Sequence, residues 1–291
     1  MAKKITIIFS PYHVGERDLR VGDGPNRILT FGIVDVLEKL GYSVNIVEIP
    51  RVDEYEGEIG KSFEIINRTS TLVHNALQND SFPLILAGNC MSSVGVACGL
   101  QEEHLGFIYF DAHDDLDSPD VNVNGYLDAM GLSMLNGESW KTYMSKVPFF
   151  KPHKYDKFVY CGLRDVNEVQ RARVTRDHDM DIIWGNEKSK VDYIKSFENQ
   201  LQAKDYSPAL VHLDLDCLDE AYGKVNDFPS PGGLYENELL ECIGMVPKYA
   251  EPKSLTICSF DPNCGGDGDK IAQIAVEAVK RFFTAMNKRK E

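Results

Sequence analysis

Gly106-Phe107-Ile108-Tyr109-Phe110-Asp111-Ala112-His113-Asp114-Asp115 changes from wholly apolar to largely ionisable at a single residue. The apolar half reads as a short buried strand. Side chains two apart in an extended segment point the same way, so Asp111, His113 and Asp115 can converge from one side. A second stretch has the same form: Ala209-Leu210-Val211 leads into His212-Leu213-Asp214-Leu215-Asp216, where Asp214 and Asp216 converge. An open α/β sheet places its chemistry at the carboxyl ends of its strands. A single divalent ion rarely needs four carboxylates and an imidazole, whereas two ions sharing bridging carboxylates do, with a hydroxide between them. A lone Asp-x-His or Asp-x-Asp is usually a turn, a cap or a solvated face. Together the two stretches favour a metal site, because burying four carboxylates without cations costs several kcal/mol per ion.

On either side, short apolar runs alternate with longer amphipathic segments, the rhythm of a doubly wound parallel sheet with helices on both faces. Eight strands are expected, at residues 5–9, 44–49, 84–87, 107–110, 158–161, 181–184, 210–215 and 255–259. Helices are expected at 26–40, stopped by Gly41, at 63–78 and at 270–287. The loops after the third, fourth, seventh and eighth strands carry the polar and glycine-rich segments Ala-Gly-Asn-Cys-Met, Asp-Ala-His-Asp-Asp-Leu-Asp-Ser-Pro, Phe-Pro-Ser-Pro-Gly-Gly-Leu and Asp-Pro-Asn-Cys-Gly-Gly-Asp. Four such loops on one edge make a pocket. Tight strand-to-helix turns explain their glycines and prolines but not their ionisable groups.

The chain has 291 residues, 43% of them hydrophobic and 26% charged, with no low-complexity tract or repeat. Residues 1–291 are expected to form one domain. The net charge of −14 opposes nonspecific nucleic-acid binding and suits a cationic small molecule. Part of that acidity is the site itself. Seven scattered cysteines without a Cys-x-x-Cys pair read as free thiols, and no apolar run is long enough for a signal peptide or a membrane span. A cytoplasmic protein is expected.

These residues resemble the arginase–agmatinase (ureohydrolase) superfamily along nearly the whole chain. Asp111-Ala-His113-Asp-Asp115 is similar to that family's Asp-Ala-His-x-Asp box, and Asp214-Leu-Asp216-Cys-Leu-Asp219 to its second aspartate box. Ser230-Pro-Gly-Gly, Asn124-Gly-Tyr-Leu-Asp-Ala-Met130 and Gly162-Leu-Arg-Asp165 resemble further family segments, the middle one a substrate loop that includes Asn124. The resemblance implies a three-layer α/β/α sandwich around an eight-stranded, mainly parallel sheet. It implies that Asp111 and Asp214 bridge two ions, that Asp115 completes one set, and that His113 with Asp216 holds the other ion. The sixth family ligand is a histidine, and Cys90 takes its place here. A thiolate can ligate, and its softness shifts preference from manganese toward zinc or iron; the alternative is a buried structural thiol.

Other departures bear on substrate. Asp128 stands where arginase-like members carry a histidine credited with proton transfer, and a carboxylate near two cations should stay ionised. Asp117 replaces an asparagine that meets a substrate carboxylate, and Asn167 replaces an acid that meets an α-amino group; both disfavour a plain amino acid. Ser259 falls where many members carry a guanidinium-clamping glutamate, although a short slip in alignment would bring Asp261 there.

The expected chemistry is hydrolysis of a guanidino, amidino or formimino C–N bond by a metal-bridging hydroxide, on a substrate other than plain arginine. Bound metal lowers the pKa of water from near 16 to about 7. Asp115, Asp128 or, less readily, His212 would protonate the leaving amine; His212 otherwise serves as a buried orienting group. A competing reading is a catalytically degenerate metal- or ligand-binding relative. A third is amide hydrolysis by a single zinc, against which the full second set of acids argues. The family commonly forms trimers or hexamers, so a homo-oligomer is expected.

Overall fold

The computed structural model describes residues 3–53, 56–265 and 267–289. Eight strands form one sheet: β1 (Lys3–Ser10), β2 (Tyr42–Glu48), β3 (Ser81–Ala87), β4 (Gly106–Phe110), β5 (Phe158–Cys161), β6 (Asp181–Ile183), β7 (Ala209–Asp214) and β8 (Pro252–Cys258). Their spatial order is β2-β1-β3-β8-β7-β4-β5-β6, and every neighbouring pair is parallel. The expected eight strands are all present, with ends that coincide or shift by at most three residues, and with 158–161 as expected. β3, β8, β7 and β4 lie side by side at the centre. The four loops singled out in the sequence therefore leave adjacent strands, which is why distant residues meet.

Alternation along each strand divides the core into two layers. Ile7, Leu84, Leu86, Phe110, Leu213 and Ile257 face one side. There they pack beneath α1 (Gly24–Thr30), α2 (Ile33–Lys39), a helix at Tyr193–Ala203, another at Glu236–Tyr249, and the long C-terminal helix Gly268–Lys288. Ile8, Ile85, Phe107, Tyr109, Leu210 and Cys258 face the other side, under α3 (Glu58–Gln78) and α4 (Ser92–Leu100). By the same alternation Tyr109 precedes Asp111, and His212 precedes Asp214, on the α3/α4 side.

The single helix expected at 26–40 is instead two. Gly32 adopts φ +80, which ends α1 and re-aims the chain into α2. The continuous apolar periodicity through Ile28, Leu29, Ile33 and Val36 conceals this break, because both halves pack against the same face. α3 begins earlier than the sequence suggests, at Glu58. In the glycine-rich loop after β8, Gly266 lies outside the described residues.

Gly88, directly after β3, sets the approach of the Cys90 loop. A β-carbon there would lie 2.0 Å from the Tyr12 carbonyl oxygen and 3.0 Å from Gly22 Cα. Those are backbone atoms, which cannot swing aside. Gly88→Ala is expected to destabilise the protein by about 1–3 kcal/mol, whereas Gly57→Ala, with nothing within 4 Å of its added carbon, should leave the melting temperature nearly unchanged. Thermal denaturation of the two variants in parallel checks this.

Candidate metal centre

Asp111 follows β4 and Asp214 ends β7, both almost fully buried. Each turns the chain back on itself: Asp111 Oδ1 accepts the His113 amide at 2.7 Å, and Asp214 Oδ1 accepts the Asp216 amide at 2.7 Å. These local turns swing His113 and Asp216 inward, so that His113 Nδ1 lies 3.1 Å from Asp216 Oδ2 and 3.8 Å from Asp111 Oδ1. Cys90 comes from the next strand but one, with its Sγ 2.7 Å from Asp214 Oδ2 and 2.8 Å from Ser259 Oγ. Asp115 completes the cluster in a left-handed conformation, φ +51, as does Ser259 at φ +61. Such conformations cost a non-glycine residue about 1–2 kcal/mol, and they mark where the surrounding structure constrains the backbone.

Two ligand-atom groupings arise from the residues expected to bind metal. Asp111, His113 and Asp216 form one; Cys90, Asp111 and Asp115, with His212 beneath them, form the other, the ligand atoms of each lying within 4.8 Å of one another. Asp111 belongs to both. Its buried Oδ2 has no hydrogen-bond partner among the described residues, which is costly unless a cation meets it. The donor set of carboxylates, imidazole and thiol therefore fits divalent ions.

The electrostatics make the same demand. Burial first, and then the neighbouring carboxylates, hold Asp111, Asp115 and Asp214 well above the ordinary carboxylate range. Asp114, beside them, is pushed up to about 7 by burial and by Asp117. Burial works against the proton on His113, but the charge of Asp216 and its hydrogen bonds to Asp165 and Asp216 prevail and raise it. Burial also opposes ionisation of Asp216, yet the His113 pairing brings it below the usual range. Burial, the Cys258 thiol and the charges of Asp115 and Asp214 push the Cys90 thiol up. Burial and mutual repulsion thus favour the protonated form of Asp111, Asp115 and Asp214.

Several side chains that hold this cluster carry no role in the sequence reading. Asp165 Oδ2 stands 3.5 Å from His113 Nε2, a carboxylate–histidine pairing that fixes the ring while Nδ1 faces the cluster. Asn226 Nδ2 donates to Asp216 Oδ2 at 2.9 Å. Asn89 donates to Asp128 Oδ2 at 2.6 Å and accepts from the Val14 amide at 2.6 Å, latching the Cys90 loop to two neighbours. Arg164 donates to the carbonyls of Gly162, Asp216, Leu218 and Ser230, at 2.8 to 3.0 Å. Asp219 accepts the amides of Gly232 and Gly233 at 2.8 and 3.1 Å, which ties down the Ser-Pro-Gly-Gly segment. The segments containing Asn89, Arg164, Asp165, Asp219 and Ser230 stand out in the sequence, although no role is read for these side chains; Asn226 gives no such signal.

The remaining expected site residues are dispersed in role. Asp128 is buried, with one oxygen on Asn89 and the other on the Met91 amide at 2.8 Å; burial pushes it up to about 6 against these donors. Asp117 is held by Asn122 at 2.8 Å and by Gln170 at 3.2 Å. Asn124 is exposed and accepts the Tyr126 amide within its own turn. Asn167 caps the short helix Glu168–Ala172 reciprocally with Gln170. Ser259 meets Cys90, whereas Asp261, two residues on, accepts the Asn263 amide at 2.8 Å. His212 lies beneath the cluster and outside the cavity lining: its ring stacks on Tyr109 at 4.3 Å, and burial lowers its pKa to about 3, so it is neutral.

Above the cluster opens a cavity of about 590 Å³ whose wall includes Asp114, Asp117, Asp165, Asp227 and Asp261. Tyr126 and Phe228 line its mouth, their rings 5.8 Å apart. The parallel sheet carries, at one rim, a cluster of potential metal ligands under an acidic pocket. The chain belongs to the arginase family: the model described as "Arginase family" matches residues 3–284. A protein named arginase from Staphylococcus aureus (strain MRSA252) is 28% identical over 298 residues, which cover 97% of each chain. The crystal structure of arginase from Bacillus cereus superposes with a TM-score of 0.86 at 21% identity, over 97% of this chain and 98% of that one. Formimidoylglutamase from Bacillus subtilis superposes with a TM-score of 0.71 at 18% identity, over 98% and 88%. This is an arginase-family hydrolase with the α/β fold expected of it.

Raised carboxylate pKa values mean that the folded metal-free protein binds more protons than the unfolded chain above about pH 4. Stability is then present below the unfolded values and lost as pH rises through the folded ones; His113, also raised, acts in the same direction. With a chelator present, the melting temperature is expected to fall as pH increases from about 4 past 7, where Asp114 titrates. Manganese should reverse that slope. Melting curves across pH, with chelator and with metal, test this; coincident curves would count against a cation site.

Proposed function

We propose that this protein hydrolyses a C–N bond of a cationic guanidino, amidino or formimino small molecule other than plain arginine. In this reading Asp111 and Asp214, with Cys90 and Asp115 at one end and His113 and Asp216 at the other, would hold two divalent ions. Such ions, when bound, supply an activated water at neutral pH and stabilise negative charge as it develops on the substrate. Manganese is the first candidate and zinc or iron the alternatives.

The observation that carries the substrate class is the charge of the cavity. Among the described residues lining it, the one guanidinium is Arg20, and that lies 3.5 Å from Asp227. Nothing cationic is left to receive an α-carboxylate, and Asp117 would repel one. A positively charged substrate meets carboxylates on the walls and two aromatic rings at the mouth, both favourable to a cation. Asp165 orients His113, while Asp115 is buried beside the cluster and suited to hold a proton for the leaving amine. Asp128, with both oxygens engaged by the Cys90 loop, positions that loop more readily than it shuttles protons. The chain as one ureohydrolase unit, its assembly as a trimer or hexamer, and a reducing cytoplasm complete the proposal; six buried free thiols support the last.

Metal analysis combined with a urea- and ammonia-release screen over guanidino, amidino and formimino compounds, arginine included, tests this reading. Turnover of a cationic compound in preference to arginine is the expected result. Metal-loaded protein that binds such compounds but turns none over would establish the degenerate alternative instead. Asp111→Asn and Asp214→Asn should each remove both ions and lower kcat/KM by roughly 10³-fold or more. Cys90→His should raise manganese occupancy, read by elemental analysis after dialysis; unchanged content would remove Cys90 from the ligand set.

A further inference from the structure

Beneath the acid cluster, a second set of donors is left over from the hydrolytic centre. Cys90, His212, Asp214 and Cys258 are all buried and bring one ligand atom each within 4.8 Å of one another. Cys258 Sγ lies 3.8 Å from Cys90 Sγ and 3.4 Å from His212 Nε2. A tetrahedral zinc ion, with bonds of about 2.3 Å to sulfur and about 2.0 Å to nitrogen, spaces two thiolates by about 3.8 Å and a thiolate from an imidazole by about 3.5 Å. Two edges of such a tetrahedron are therefore already in place. The third, Cys90 Sγ to Asp214 Oδ2 at 2.7 Å, has hydrogen-bond length, and it must open by about 1 Å once an ion replaces the thiol proton.

His212 is the informative member. Its ring stacks on Tyr109 with an interplanar angle of 16°. Among the described residues its nitrogens meet no polar partner other than Cys258, and Nδ1 is buried without one. An imidazole fixed by stacking, with Nε2 aimed at a sulfur, is oriented as a ligand is. Strand register explains the meeting: Cys258 pairs with Asp214 across β8 and β7, and His212 lies two residues before Asp214 on the same face.

We propose that Cys90, His212, Asp214 and Cys258 form a thiophilic metal site for zinc-class ions, one residue layer below the hydrolytic centre and sharing Cys90 and Asp214 with it. Binding Zn²⁺ there releases to solvent the two thiol protons, and the proton of Asp214 where that carboxyl carries one, and forms two Zn–S bonds, one Zn–N bond and one Zn–O bond. An ion in this site withdraws shared ligands from the upper position, so zinc and a hard ion exclude one another at that end. The Asp111, His113 and Asp216 end stays available. The inference rests on the proposed binuclear centre only through the shared ligands.

Cobalt(II) added to the metal-stripped full chain is the probe, with zinc as competitor. One equivalent is expected to give intense visible bands of tetrahedral cobalt and a near-ultraviolet sulfur-to-cobalt band, both abolished by one equivalent of zinc and unaffected by excess manganese. Cys258→Ser should lower the sulfur band to about half, and His212→Gln should keep that band while weakening zinc affinity by more than the roughly tenfold cost of losing an orienting neighbour. Should either variant fold poorly, zinc-edge X-ray absorption of the unaltered protein counts the sulfurs directly, with two expected at about 2.3 Å. A count of one or none, or an identical cobalt spectrum in folded Cys258→Ser, overturns the site. One sulfur would leave Cys90 with the binuclear centre, whereas two sulfurs in the zinc form, together with no hydrolysis by the manganese-loaded protein, would uphold this site and sink the proposed function.

Discussion

Asp111, Asp115, Asp214 and Asp216 are buried together against a thiol and an imidazole, and the repulsion among them is what the rest of the molecule must answer. Burial and repulsion hold three of the acids above their usual range, while the fourth, Asp216, is despite its burial brought below it by the His113 charge and by hydrogen bonds from His113, Asn226 and Asp214. That arrangement is coherent but costly, since each proton neutralises a group that a divalent ion would satisfy with more contacts. A sheet edge that accumulates such groups gains specificity for cations at the expense of its own stability, a balance common to functional sites.

Holding the acids in register falls to groups that touch no ion. Arg164 collects carbonyls from three segments and ties the end of β5 to the turn after β7. Asp219 gathers the glycine amides of the next loop, and Asn226 and Asp165 each steady one member of the His113–Asp216 pair. Asn89 does the same for the Cys90 loop, whose close approach to Tyr12 only a glycine at position 88 permits. Strained backbone at Asp115 and Ser259 survives because these neighbours over-determine it.

The fold and the cluster are legible in the sequence because both follow from short-range rules. Short apolar runs mark the strands, and Asp111, His113, Asp214 and Asp216 stand at or directly beyond the ends of two of them. What escapes is long-range or conformational. The break at Gly32 hides because both half-helices share one apolar face, and one glycine within a helical pattern does not reveal its φ. Asp117 looks like a free acid until Asn122 and Gln170 are seen on it. Asn167 lines the cavity, and its side chain also accepts two amides of its own helix, a capping role that the substrate reading does not include. Cys258 is invisible as a donor from the sequence, since its partners arrive from β3 and β7 only after the strands pair.

Replacing a family histidine by Cys90 alters charge as well as softness. In the proposed centre four carboxylates would balance two divalent ions, and a Cys90 thiolate would add a fifth negative charge and make the centre net anionic. An anionic centre withdraws protons from bound water less strongly than a neutral one, so its chemistry depends more on what the substrate brings. A cationic substrate restores the balance at the moment it binds, and the cavity wall has the sign that attracts one. The thiol at position 90, the acids at 117, 165, 227 and 261, and the absence of an unpaired cation among the described lining residues thus act in one direction. The same extra charge and softness favour zinc-class ions sinking toward Cys258 and His212, so the residue that tunes the pocket for cations also exposes the centre to competition from below.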